Sequence, residues 1–259
     1  MKIIFLGSGG AFTDYRVNYQ NNAIVETAGG PVLIDCGVTA CQSLRELGVH
    51  PTEIIATLFT HLHADHASPE QLIWERFYGG KQGLPAFLKT RLVAPASLLN
   101  PLEQSLKPFV DIYTDAEGQI QDNGTAALID FERCNSVIIH DVRFRFFRVP
   151  HVTSKKIDKA AFGIEIDNGR SRVLWSGDTT FAPEWIIKAA QDPRVSKIFH
   201  ECLFAPAFKG TVHTHWQELQ SLPEEIRQKI VLMHHTMVPE WADISLFGDA
   251  ARRHQVFEL

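Results

Sequence analysis

Three histidines and an aspartate fall within six residues of this sequence, in His61-Leu62-His63-Ala64-Asp65-His66. Imidazole and carboxylate are the common oxygen and nitrogen ligands of transition metals, so the first chemistry to test is metal binding. The hexad follows the apolar run Ile54-Ile55-Ala56-Thr57-Leu58-Phe59, which reads as a buried strand. In an extended segment side chains alternate with a period of two, so His61 and His63 point the same way and can reach one ion. Asp65 and His66 follow where the chain turns, and can face a second ion. Such a run of polar groups directly after an apolar strand is costly unless it coordinates something.

The positioning elements come next. Ile3 to Leu6 reads as a first buried strand ending at Gly7-Ser8-Gly9-Gly10. Those glycines read as a tight turn; the GxGxxG spacing of a phosphate-cradling loop is absent. Ala23–Glu26 and Val32–Asp35 flank a Gly-Gly-Pro turn as a hairpin, and Asp35 reads as a helix cap or as an acceptor supporting a ligand. Helices are predicted over 39–47, from Ser68-Pro69-Glu70 onward, and over 96–106, 183–190, 214–221 and 241–252. Gly79 to Gly83 and the polar segment 111–126 read as loops. The latter is a surface excursion by default, with a lid or a homodimer contact as the other readings. Val137 to Val149 suggests paired strands that deliver His151. Arg143, Arg145 and Arg148 among phenylalanines read as the solvated face of a half-buried strand rather than a nucleic-acid patch. Gly163–Ile166 and Arg172–Trp175 form a hairpin that delivers Ser176-Gly177-Asp178-Thr179. Later strands at 197–199 and 230–233 end in His200-Glu201 and His234-His235, and a terminal strand covers 255–257.

Composition sets the outer bounds. The chain has 259 residues, 45% hydrophobic and 21% charged, with a formal net charge of −5. No global basic field exists to hold a long polyanion. Cys36, Cys41, Cys134 and Cys202 form no CxxC pair and read as reduced, mostly buried thiols. No stretch is long and apolar enough for a membrane span, and the N-terminal apolar run is too short for a signal peptide. A soluble cytoplasmic protein of one domain, residues 1–259, is expected.

The H-x-H-x-D-H motif after a strand resembles the signature of the metallo-β-lactamase-fold hydrolases. The resemblance implies an αββα sandwich, an α/β (α+β) fold of two mixed sheets flanked by helices. It also implies two metal ions at one edge. His61, His63 and His151 would bind the first; Asp65, His66 and His234 the second; Asp178 would bridge them. Donors of this kind without thiolate suit zinc, with manganese or iron as alternatives. Two such ions can share a hydroxide and clamp a phosphoryl or carbonyl oxygen.

The C-terminal motifs His200-Glu201, Val212-His213-Thr214-His215 and Met233-His234 resemble the tRNase Z group. There a Glu orients a His that is proposed to protonate the leaving oxygen; Glu201 and His213 match, and His215 is the rival. Asp65 is counted with Glu201 and His213 among the catalytic residues. His200, Cys202 and His235 read as neighbours of the site. The interval from His151 to Asp178 is too short for the tRNA-gripping arm of that group. The closer resemblance is therefore to the arm-less cyclic-nucleotide phosphodiesterases of anti-Pycsar type. That implies a small phosphodiester substrate, with long nucleic acid unlikely as a partner. Lys155, Lys156 and Lys159 read as a solvated loop rather than a phosphate contact. Three other readings stand beside it: a tRNA 3′-end ribonuclease, a carboxylic ester, lactone or thioester hydrolase, and a metal-binding interaction protein without turnover.

Overall fold

The computed structural model describes residues 1–80, 84–153, 158–205 and 210–259. Lys81 to Gly83 of the predicted glycine loop, and Lys155 and Lys156, lie outside the described residues. The chain opens with β1 (Lys2–Phe5), β2 (Ala23–Thr27), β3 (Gly30–Ile34), α1 (Ala40–Glu46) and β4 (Ala56–Leu58). Next come α2 (Glu70–Phe77), β5 (Thr90–Ala94), α3 (Ala96–Val110), β6 (Tyr113–Thr114), β7 (Ile120–Gln121) and α4 (Gly124–Leu128). The middle holds β8 (Ile129–Arg133), β9 (Ser136–Ile139), β10 (Val142–Arg148), β11 (Phe162–Asp167) and β12 (Arg172–Trp175). The last part holds α5 (Pro183–Ala190), β13 (Val195–Glu201), α6 (Trp216–Gln220), α7 (Glu224–Arg227), β14 (Ile230–Met233), β15 (Asp249–Ala250) and β16 (Val256–Glu258).

Two seven-stranded sheets result. One has the order β16-β1-β2-β3-β4-β5-β8, the other β15-β14-β13-β12-β11-β10-β9. Their facing sides are apolar and share one core, in which Phe5 packs on Trp175 at 5.2 Å and on Phe199 at 5.4 Å between ring centroids. A second cluster around Ile186, Ile198, Trp216 and Ile230 seals α5 to α7 against the outer side of the second sheet. This is the αββα sandwich that the resemblance implies.

Strand direction decides where the loops meet. β3, β4 and β5 run parallel, and β1, antiparallel to β2, runs the same way as β3. The loops after β1, β3 and β4 therefore emerge at one edge. In the second sheet β12, β13 and β14 are parallel, with Trp175 opposite Phe199 and Glu201 opposite Met233. Residues that follow these strands leave from one edge too, and β10, antiparallel to β11, sends His151 there as well.

Several local expectations are corrected. The segment 241–252 forms no α-helix: a 3-10 turn (Ile244–Leu246) leads into β15. The backbone N–H groups of Gly248 and Ala251 donate to Ile230 and Leu232 across to β14, which a helix would forbid. The Ser68 hydroxyl donates back to Ala64 O instead of capping α2, which begins at Glu70. Thr39, not Asp35, flanks α1. The segment 111–126 contains the β6–β7 hairpin and the start of α4, with Ile112 and Ile120 exposed. α3 runs on to Val110. Arg145 pairs with Glu165 and Arg148 with Asp158, in keeping with a solvated arginine face. The four cysteines are free, and no helix among the described residues is long and apolar enough to cross a membrane.

Candidate metal centre

The hexad turns at the end of β4, and the structure gathers all seven predicted ligands around it. His61 Nε2 lies 3.0 Å from His63 Nδ1, and His151 Nε2 lies 3.3 Å from that same Nδ1. Asp178 Oδ2 faces this group, 3.6 Å from His61 Nε2 and 4.0 Å from His151 Nε2. The other oxygen, Oδ1, faces a second group, 3.3 Å from His66 Nε2 and 3.4 Å from His234 Nε2. Asp65 Oδ2 completes it, 3.2 Å from His66 Nε2 and 3.3 Å from His234 Nε2. Asp178 thus has one oxygen for each group.

The hydrogen bonds behind the rings show what the converging atoms are. His66 Nδ1 donates to Asp35 Oδ2 at 2.8 Å. The Thr60 hydroxyl also donates to Asp35 Oδ2 at 2.8 Å, so its oxygen is left to accept from His61 Nδ1 at 3.2 Å. His151 Nδ1 donates to Val212 O at 2.9 Å. With their Nδ1 protons committed, the Nε2 atoms of the neutral His61 and His151 carry lone pairs aimed at other acceptors. His66 Nε2 and Asp178 Oδ1 are buried and make no well-formed hydrogen bond among the described residues. Acceptors facing acceptors at about 3 Å repel unless a cation lies between them. The donor set therefore fits divalent metal ions, held by His61, His63, His151 and Asp178 on one side and by Asp65, His66, His234 and Asp178 on the other.

Charge supports the fit. Burial pushes His61 well below the ordinary imidazole range and His151 down to about 4, so both stay neutral and able to ligate. Around His66 burial pulls the same way, but the carboxylates of Asp178, Asp35 and Asp65 push it well above that range. This part of the cluster calls for positive charge.

Backbone geometry aims the groups. Asp35 and His234 both take left-handed φ values, 59° and 60°. Gly177 has φ 60°, and a Cβ there would sit 2.7 Å from Phe162 O, so only glycine lets β12 turn Asp178 into the cluster. At Gly37 a Cβ would meet Asp65 O at 2.0 Å, so the loop after β3 can pass this close to the hexad only without a side chain.

Glu201, at the end of β13, is fully buried. It accepts from His213 Nδ1 at 2.7 Å and from the Thr179 backbone N–H. His213 Nδ1 is also 3.8 Å from Asp178 Oδ2. Burial pulls the His213 imidazole down, but the Glu201 carboxylate more than offsets this and raises it to about 9. His215 is turned away: buried at the start of α6, its Nδ1 is directed at Ala205 O. His200 donates Nδ1 to Glu201 O and stacks on Trp185 at 5.5 Å, away from the ligands. His235 packs edge-on to Phe204, and Cys202 lines a cavity wall. The predicted neighbours are neighbours. Sequence reading missed Thr60 and the Val212 carbonyl; Thr60 was signalled only by its place beside His61.

Two facing mixed sheets, helices outside and an H-x-H-x-D-H loop at the shared edge define a metallo-β-lactamase-fold protein, an enzyme of the metal-dependent hydrolase class. Structures of that fold agree. The metallo-beta-lactamase fold protein YhfI from Bacillus subtilis superposes with a TM-score of 0.72 at 16% identity, covering 99% of this chain and 98% of its own. Human tRNase Z, short form, does so with a TM-score of 0.69 at 15% identity, covering 100% and 99%. Within the class, the chain belongs to the family described as Anti-Pycsar protein Apyc1, which it matches over residues 1–257. It is 30% identical over 274 residues to Anti-Pycsar protein Apyc1 of Paenibacillus sp. (strain J14), covering 100% of this chain and 99% of that one.

Proposed function

We propose that the chain is a phosphodiesterase of two divalent transition-metal ions, zinc foremost, acting as one cytoplasmic hydrolase domain on a small, cyclic-nucleotide phosphodiester. The observation that carries this reading is the Glu201–His213 pair, set beside Asp178 with His213 Nδ1 held at 2.7 Å. Carboxylic ester or thioester hydrolysis gives no comparable reason for such a pair. The family resemblance, to enzymes that open cyclic nucleotides, adds the substrate class.

His61, His63 and His151 would hold one ion, Asp65, His66 and His234 the other, and Asp178 both. When bound, the ions supply an acidified water and positive charge for the phosphoryl oxygens. Asp65 lines the cavity. Burial would raise its carboxyl, but His66 and His234 hold it well below the usual carboxylate range. It therefore acts as an acceptor that orients the attacking water. As the P–O bond on the far side breaks, an alkoxide develops, which is a poor leaving group. His213, protonated at neutral pH, donates its Nε2 proton to that oxygen, and Glu201 stabilises the imidazolium and fixes its ring.

The test is an assay of the purified protein against 3′,5′-cyclic nucleotides, bis(p-nitrophenyl) phosphate, pre-tRNA and a thioester. At least one cyclic nucleotide should turn over with a KM in the ordinary range of ~1 μM–1 mM. Its salt dependence should be shallow, because one phosphate is neutralised rather than many. Efficient pre-tRNA cleavage with a steep salt dependence, and no cyclic-nucleotide turnover, would replace this reading with the ribonuclease one.

A further inference from the structure

The metal centre opens into a cavity of about 660 Å³. It is lined by His63, Asp65, Asp178, Glu201, His213 and His234, and also by the apolar Phe12, Leu203, Phe204 and Met237. Among the described residues no lysine or arginine lines it. Phe204 is a fixed wall, braced by Trp216 at 5.1 Å, His235 at 5.4 Å and Trp241 at 6.1 Å between ring centroids. Phe12 is its opposite: the ring is fully exposed.

That exposure does not come from a loose loop. The hydroxyls of Thr13 and Thr236 bond at 2.6 Å, and Asn18 Nδ2 donates to Thr236 O at 3.2 Å. The His235 backbone N–H donates to Ser8 O at 2.6 Å. Thr13 also packs so closely on Gly9 that a Cβ there would lie 2.3 Å from its Oγ1. The loop after β1 and the loop after β14 are thus fastened to each other, and the fastening presents Phe12 and the largely exposed Met237 at the same cavity. A large ring kept out of the core on a pinned loop has its apolar surface unused.

We propose that Phe12 is a specificity-determining residue: it stacks on the nucleobase of the substrate while the phosphodiester is held at the ligand cluster. The inference rests on the phosphodiesterase reading and extends it. A substrate whose phosphate meets the ligand cluster has its remaining part in a cavity that Phe12, Phe204 and Met237 also line. The group that suits those walls is flat and uncharged, with aromatic faces, and a nucleobase is such a group.

The test separates base binding from chemistry. The two substrates are a 3′,5′-cyclic nucleotide and 1-O-methylribose 3′,5′-cyclic phosphate, which keeps the scissile bond and lacks the base. Phe12→Ala should raise KM for the nucleotide by ~10-fold or more, the usual worth of a base stacked on an aromatic ring, and alter kcat by less than ~3-fold. Phe12→Trp should restore the KM. For the base-less substrate the KM of Phe12→Ala should match that of the parent. An unchanged nucleotide KM in Phe12→Ala, or an equal rise for both substrates, overturns the proposal. Failure of the parent protein on both substrates overturns the phosphodiesterase reading, and this proposal with it. Because Phe12 is fully exposed, the variant should melt with the parent, and the comparison is made only on such a protein.

Discussion

The two sheets build the centre in different ways. The first contributes four candidate ligands from one turn at the end of β4, backed by Asp35 from the neighbouring strand end. The second contributes His151, Asp178, Glu201 and His234 from the ends of β10, β12, β13 and β14, one group to each strand. In the first half local chain geometry brings donors together; in the second, the register of the sheet does so. A local arrangement survives as long as its turn survives, whereas a register arrangement depends on the packing of a whole sheet. The difference also divides the proposed labour: the dense donor turn comes from the first sheet, and the carboxylate that faces both clusters and the Glu201–His213 pair come from the second.

The sharpest way to break this comparison is Asp178→Ala. It removes the one group that faces both ligand clusters, so elemental analysis should show loss of metal from both sites and turnover should fall to background. Loss of only one ion would show that Asp178 is not shared by the two clusters. Next in size is His213→Ala, which should keep both ions and lose ~10²–10⁴-fold in turnover, the usual worth of a positioned general acid. The loss should shrink on bis(p-nitrophenyl) phosphate, whose leaving group departs without a proton. Loss of metal in this variant would move His213 into the ligand set. The smallest effect is expected at Asp35→Asn. It keeps the shape but leaves one acceptor oxygen where Thr60 N, Thr60 Oγ1 and His66 Nδ1 converge. Metal affinity measured by chelator competition should fall ~10–100-fold. An unchanged affinity would mean that the turn holds its imidazoles without the buried carboxylate.

The same division explains what could be read from the sequence. The hexad was legible because its donors are neighbours in the chain and follow an apolar strand. His151, Asp178 and His234 became legible through resemblance, since each by itself is an ordinary residue at a strand end. Asp35 was half-legible: its type suits a cap or an acceptor, and only β3 lying beside β4 decides for the acceptor. The segment 241–252 misled because Ile244, Phe247 and Ala251 are spaced as on a helix. Phe247 and Ala251 are buried and Ile244 partly so, but this is achieved beside β14, a partner that local spacing cannot reveal. Phe12 left no trace at all, because an exposed aromatic and a buried one look alike in sequence.

His234 faces its cluster from a left-handed backbone, a conformation that costs a residue with a Cβ roughly 1–2 kcal/mol and glycine almost nothing. In metal-free protein, glycine at position 234 would therefore relieve the turn while deleting a proposed ligand. Selection for heat resistance alone would reward that exchange, and the survivors would be sturdier molecules with half a metal centre. Any programme to make this enzyme more robust has to hold position 234 fixed and look for its gains in the sheets.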